Sequence, residues 1–162
     1  MTWSDLVDNR AAVFDPLYDD LPALTGVRLR SVHLDGWAPT VTLRLDLPGF
    51  ADRWEGQPAD TVQCHLQFSH VEDLEMDGWQ PPATVDFGFE ELPGHRLAVR
   101  AAGAGVLLRF TANASVLAGH LSAFTRAADG GDGGPHQFVR RLDARLHRTV
   151  PPTTAKTFYE HL

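Results

Sequence analysis

The chain has 162 residues, 43% hydrophobic and 22% charged, which suits one globular domain and excludes a wholly disordered chain. Its one cysteine, Cys64, excludes an internal disulfide and an all-cysteine metal site. The net charge of -7 is uneven: residues 1–92 carry 17 acids against 5 bases, residues 93–162 carry 4 against 9, and so acidic a first part argues against nucleic acid as the main ligand.

The opening segment, Trp3 to Tyr18, reads as one or two short helical turns. Ser4 can cap the first, with Asp5 and Asp8 favourable near its N-terminus. Val13, Phe14 and Leu17 fall at helical spacing, and Pro16 limits the regularity of the second turn. No secretory signal stands at this start and no apolar run is long enough for a membrane span, so a cytoplasmic protein is expected.

From Val27 the period changes to two. Val41, Leu43, Leu45 and Leu47 alternate with Thr42, Arg44 and Asp46, and Val62, Cys64, Leu66 and Phe68 alternate with Gln63, His65 and Gln67. Residues 85–90, 96–100 and 106–110 repeat the pattern, which marks an antiparallel sheet with one covered face and one in water. The first strand, VRLRSVHL, slips phase between Leu29 and Val32, so a β-bulge is expected near Arg30 or Ser31. Turn residues separate the strands at Asp35-Gly36, Gly78 with Pro81-Pro82, Pro93-Gly94 and Gly103 with Gly105. Residues 115–126 read as a last strand. DGGDGGP at 129–135 reads as a linker between a domain at 1–128 and a helical tail at 136–162, in which Phe138, Val139, Leu142 and Leu146 form a stripe. The expected fold is therefore α+β: a mainly antiparallel, five- to seven-stranded sheet with one face covered by N- and C-terminal helices.

Catalytic signatures are missing. None of the five serines lies in G-x-S-x-G, and Cys64 falls on the apolar side of its strand. The eight histidines have no ligand spacing; His65 and His70, five apart on a strand-like segment, point to opposite faces. No enzyme, cofactor or metal is expected from these residues. Two surfaces remain as candidates. Glu72, Asp73, Glu75 and Asp77 interleave with apolar residues before Gly78-Trp79, which fits either a charge-protected sheet edge or an acidic recognition patch. With the loop tryptophans, the partner-binding candidates are Trp37, Trp54, Glu72, Glu75, Asp77 and Trp79. The alternative is a small-ligand or enzymatic face on the polar side of the sheet, using Arg44, His65, Gln67, Arg100 and Arg109.

The order Trp-x-x-Leu near the start, then VRLRSVHL and TVTLRLDLP, then DTVQCHLQFSHVEDLEMDGW, resembles the immunity protein 50 family of bacterial polymorphic toxin systems. The carriers are Val62, His65-Leu66, Phe68, Val71, Leu74, Met76 and Gly78-Trp79, within a resemblance spanning residues 3–126. Cys64 and Met76 stand at leucine positions of the pattern, and Asp60 stands where asparagine is expected. What the resemblance implies is an antidote that binds and neutralises a cognate protein toxin, without catalysis. The acidic first part suits a basic toxin, and neither nucleic acid nor membrane is expected as a partner.

Overall fold

The computed structural model describes residues 2–37, 39–132 and 134–139. A 3-10 turn at Trp3–Leu6 and a short helix α1 at Arg10–Val13 precede nine strands. These are β1 (Val27–Asp35), β2 (Thr40–Asp46), β3 (Thr61–Phe68), β4 (Glu72–Asp77), β5 (Ala83–Leu92), β6 (Arg96–Gly103), β7 (Val106–Asn113), β8 (Val116–Phe124) and β9 (Gln137–Phe138). They form one sheet in the order β4-β7-β6-β5-β1-β2-β3-β8-β9, with each pair of neighbours antiparallel.

The antiparallel sheet agrees with the alternation, but the α+β arrangement and the five to seven strands do not. Nine strands replace them, and the described helical pieces are only four residues long. A helix this short gains little from its own hydrogen bonds, and Pro16 blocks its extension. The N-terminal segment packs instead as irregular chain. It buries Trp3, Phe14 and Tyr18, while the Trp3 indole donates to the Pro22 carbonyl at 2.9 Å and the Tyr18 hydroxyl to that of Gly49 at 2.8 Å. At the other end Gln137 and Phe138 pair with β8 as a strand, whereas most of the expected C-terminal helix lies outside the described residues.

The sheet curls on itself. Phe68 of β3 meets Phe110 of β7 with ring centroids 5.2 Å apart, although four strands stand between them in the sheet order. The β3–β4 connection joins the two halves, because the Ser69 carbonyl accepts from the Asn113 amide and the Pro39 carbonyl from the Val71 amide. Leu43, Leu45, Leu66, Leu97, Leu108 and their neighbours fill the interior at 0–1% exposure, so the inner face is the core of the molecule.

The phase slip in the first strand is a bulge, as expected, with the register shifting between Leu29 and Ser31. Residues 115–126, which read as a strand, hold β8. Cys64 lies wholly buried on the inner face, where burial first, and the Asp46 charge second, push its thiol far above the ordinary range. Native protein is therefore expected to resist a thiol reagent until it unfolds. Rapid stoichiometric labelling of the folded chain would contradict this packing.

Candidate functional site

Two outer surfaces carry the polar chemistry. The first lies on β1, β2, β3 and β8. The bulge turns Arg30 toward Asp46, which is fully buried and accepts from Arg30 Nε at 3.1 Å and from an Arg30 terminal nitrogen at 2.5 Å. Gln63 Nε2 donates to Asp46 at 2.9 Å, and Arg126 adds a contact at 3.2 Å. Residues 126–132 and 134–139 lie over this layer as a strap. The Gly130 carbonyl accepts from Arg28 at 2.7 Å and from Arg30 at 2.9 Å. Asp132 accepts from Gln63 at 2.9 Å and stands 3.6–3.7 Å from Arg30 and Arg44. Farther along the strap, His136 bridges the Ser122 hydroxyl and the Asp132 carbonyl at 2.8 and 2.9 Å, with its ring stacked on Phe124.

This face was expected to be in water. It is covered instead: Thr42, Asp46, Gln63, His65, His120 and Ser122 are all buried. Residues 129–132, which read as linker by composition, are bonded to the sheet through the Gly130 carbonyl and the Asp132 carboxylate. Burial works to raise the Asp132 pKa, but the Gln63 hydrogen bond and the Arg30 and Arg44 charges outweigh it and hold the carboxyl below the ordinary aspartate range. A carboxylate depressed in this way steadies the strap above its unfolded pKa and loses that effect as the pH falls through the folded one. The Gly131 and Val139 amide resonances are thus expected to titrate with a midpoint below that of an ordinary aspartate, and Asp132→Asn should abolish that step. A wild-type midpoint at or above that value would count against the ion pairs.

The second surface is the outer face of β4, β7, β6 and β5. β4 is an edge strand and is mostly exposed, as charge protection of an edge would require. Strict alternation would put Glu72 and Glu75 on opposite faces. A register shift between them, with Asp73 at φ 54°, removes that difference. Glu72 then faces Thr111, Glu75 faces Arg109 and Asp77 faces Leu107, so all three carboxylates share the outer face. Asp86 and Glu90 form a second acidic row on β5, opposite Ala102 and Ala98. Between the rows lies a trough of about 510 Å³ whose lining includes Gly88, Ala98, Arg100 and Thr111.

Within the trough Arg109 bonds Glu75 at 2.5 Å, and on the same outer face Arg96 stands 3.4 Å from Glu72. Arg100 is exposed, sits directly opposite Arg109, and has Gly88 as its other neighbour. Among the described residues it has no ionic or hydrogen-bonded side-chain partner. A like-charge pair directly across two strands costs stability, and the Glu75 carboxylate on Arg109 offsets part of that cost.

The site residues read from sequence are divided among these places. Glu72, Glu75 and Asp77 come together, and Trp79 follows in the loop after them, half-buried. Trp37 is 84% exposed in the β1–β2 turn, which reaches the start of β4 through the Pro39–Val71 bond. Trp54 is elsewhere, held in the β2–β3 loop by the Gln57 carbonyl and the Phe50 ring. Of the alternative face, Arg44 lies opposite His65 and Thr42 opposite Gln67 on the β2–β3 pair, whereas Arg100 and Arg109 lie on β6 and β7. The strands β5 and β1 separate the two groups, so the five residues do not share a site. Asp86, Glu90 and Gly88 were missed. Their only sequence signal is that Asp86 and Glu90 share a strand phase. No group of three His, Cys, Asp or Glu among the described residues is placed to hold a metal ion.

Comparison with known families finds a match to the family model described as Immunity protein 50, over residues 11–114. That span holds the first eight strands apart from β8, and with them the whole acidic outer face. No curated protein and no solved structure matches the chain.

Proposed function

We propose that this chain, which belongs to the immunity protein 50 family, binds a cognate bacterial protein toxin in the cytoplasm and neutralises it by occlusion, without catalysis. The observation that carries the proposal is the gathering of Glu72, Glu75 and Asp77 on one face of an exposed edge strand, across a trough from Asp86 and Glu90. Such a face would attract a basic partner over several ångströms of water and raise the association rate, while like-charged surfaces are turned away. Exposed Trp37, near one end of the acidic strand, and Trp79, beyond the other, are the aromatic anchors that would hold the complex.

Occlusion needs affinity rather than turnover. The tightest inhibitor complexes reach Kd values of about 10⁻¹³ to 10⁻¹⁶ M, which is enough to silence a toxin at cellular concentrations. The test is co-expression of the tagged chain with the toxin domain encoded nearest its gene, followed by capture at low and at high salt. A stoichiometric complex that weakens with salt supports the reading. Absence of a complex, with the toxin still lethal in the presence of the chain, contradicts it.

A further inference from the structure

Three rungs of directly opposed residues cross the acidic outer face, each taking one residue from β5, β6, β7 and β4 in turn. The first holds Asp86, Ala102, Leu107 and Asp77, and the third holds Glu90, Ala98, Thr111 and Glu72. Both end in a carboxylate on either side, with uncharged residues between. The middle rung holds Gly88, Arg100, Arg109 and Glu75. Its β4 end supplies the carboxylate that bonds Arg109, but its β5 end is a glycine, and Arg100 is left without a carboxylate of its own.

The space around Arg100 is open. Ala98 and Ala102 stand two positions before and after it on β6, and Gly88 stands beside it on β5. Nothing among the described residues requires glycine at position 88. The pairing of β5 with β6 runs unshifted from Asp86 to Leu92, the Gly88 backbone is not left-handed, and a Cβ there would meet no atom within 4 Å. Glycine weakens the interior of a strand, and one with neither a bulge nor crowding to explain it marks a place that another molecule approaches closely.

A guanidinium offers a planar fork of donors that matches a carboxylate with two parallel hydrogen bonds. A free anion would be turned away from this face, because five carboxylates stand against two guanidinium groups across the three rungs. A carboxylate borne between cations is not turned away, since its neighbours meet the acids of the outer rungs as it reaches Arg100. We propose that Arg100 is a specificity-determining contact, which receives an aspartate or glutamate side chain of the protein partner, flanked there by lysine or arginine residues that meet the outer rungs. Successive rungs lie about 7 Å apart, the spacing of alternate residues in an extended segment. The contact rests on the reading above that this face holds a toxin, and adds that the toxin's matching surface carries an acid at its centre. A partner that is basic throughout is opposed by Arg100, so the same residue attracts one surface and rejects the other.

The experiment measures the affinity of Arg100→Glu and Gly88→Thr for the toxin domain encoded nearest the gene. Both variants are expected to unfold in urea no earlier than wild type, because the first ends the opposition of Arg100 to Arg109 and the second places a β-branched residue in a strand. Added negative charge would tighten binding to a uniformly basic toxin. Arg100→Glu is expected instead to weaken it about 10²-fold or more, and Gly88→Thr, which fills the space beside Arg100, about tenfold. One aspartate-to-lysine or glutamate-to-lysine change in the toxin domain should restore binding to Arg100→Glu. Binding at wild-type strength or better by either variant, or rescue at no acidic position of the toxin, overturns the carboxylate contact and leaves the toxin-binding reading standing. Failure of the wild-type chain to bind overturns both.

Discussion

Replacing Asp46 with alanine is expected to destabilise the fold by about 3–5 kcal/mol, as the breaking of a buried ion pair does. Asp46 has no solvent exposure, and its carboxylate faces Arg30, Arg126 and Gln63. Removing it leaves a guanidinium at 5% exposure without its bidentate partner, because Asp132 stands 3.6 Å from Arg30 and already serves Gln63 and Arg44. An uncompensated buried charge is far costlier than the net worth of the pair that held it. Changing both partners together, Arg30→Met with Asp46→Leu, should therefore recover much of the loss. Urea unfolding of the three proteins checks this: a double variant as unstable as Asp46→Ala would mean that the bulge itself, and not the ion pair, is what the fold needs.

The other large effect concerns the acidic face. Reversing all three carboxylates, Glu72→Lys, Glu75→Lys and Asp77→Lys, is expected to weaken toxin binding about 10²- to 10³-fold, chiefly through slower association. Fold stability should change little, since Glu72 and Glu75 are 72% and 61% exposed and surface ion pairs contribute about 1 kcal/mol or less. The difference between wild type and variant should shrink as salt is added, because the charges act through water. Stopped-flow association rates across a salt series separate this from a packing effect. A variant that associates as fast as wild type at low salt would remove the acidic face from the mechanism.

Much of the sheet could be read from the chain because inward and outward residues differ in chemistry along most strands. The alternation in β2, β3, β6 and β7 marks their inner residues, and the slip between Leu29 and Val32 locates the bulge. The polar layer was not legible. Arg44, Asp46, Gln63 and His65 have the composition of a solvated face, yet Asp46, Gln63 and His65 are buried, and Asp132 of the strap bonds Gln63 and stands beside Arg44. The glycine-rich part of that strap binds through the Gly130 carbonyl and one aspartate, so its sequence carries no apolar signal of burial.

The acidic cluster was visible as a run of carboxylates, but not their shared orientation. Alternation alone separates Glu72 from Glu75; the bulge at Asp73 unites them, and a left-handed aspartate in the middle of a charged run has no pattern to betray it. The tryptophans illustrate the opposite error. Trp37, Trp54 and Trp79 share turn-rich surroundings, yet the topology sends Trp54 to the β2–β3 loop, beside β9, at the edge of the sheet farthest from β4.

Calorimetric titration of the purified chain with the toxin domain encoded nearest its gene, at low and at high salt, tests the central claim most directly. The expected result is a tight one-to-one complex that salt weakens and the triple charge reversal weakens further. No heat of binding, or a complex indifferent to both salt and charge reversal, would contradict the reading of this acidic face as the surface that holds a toxin.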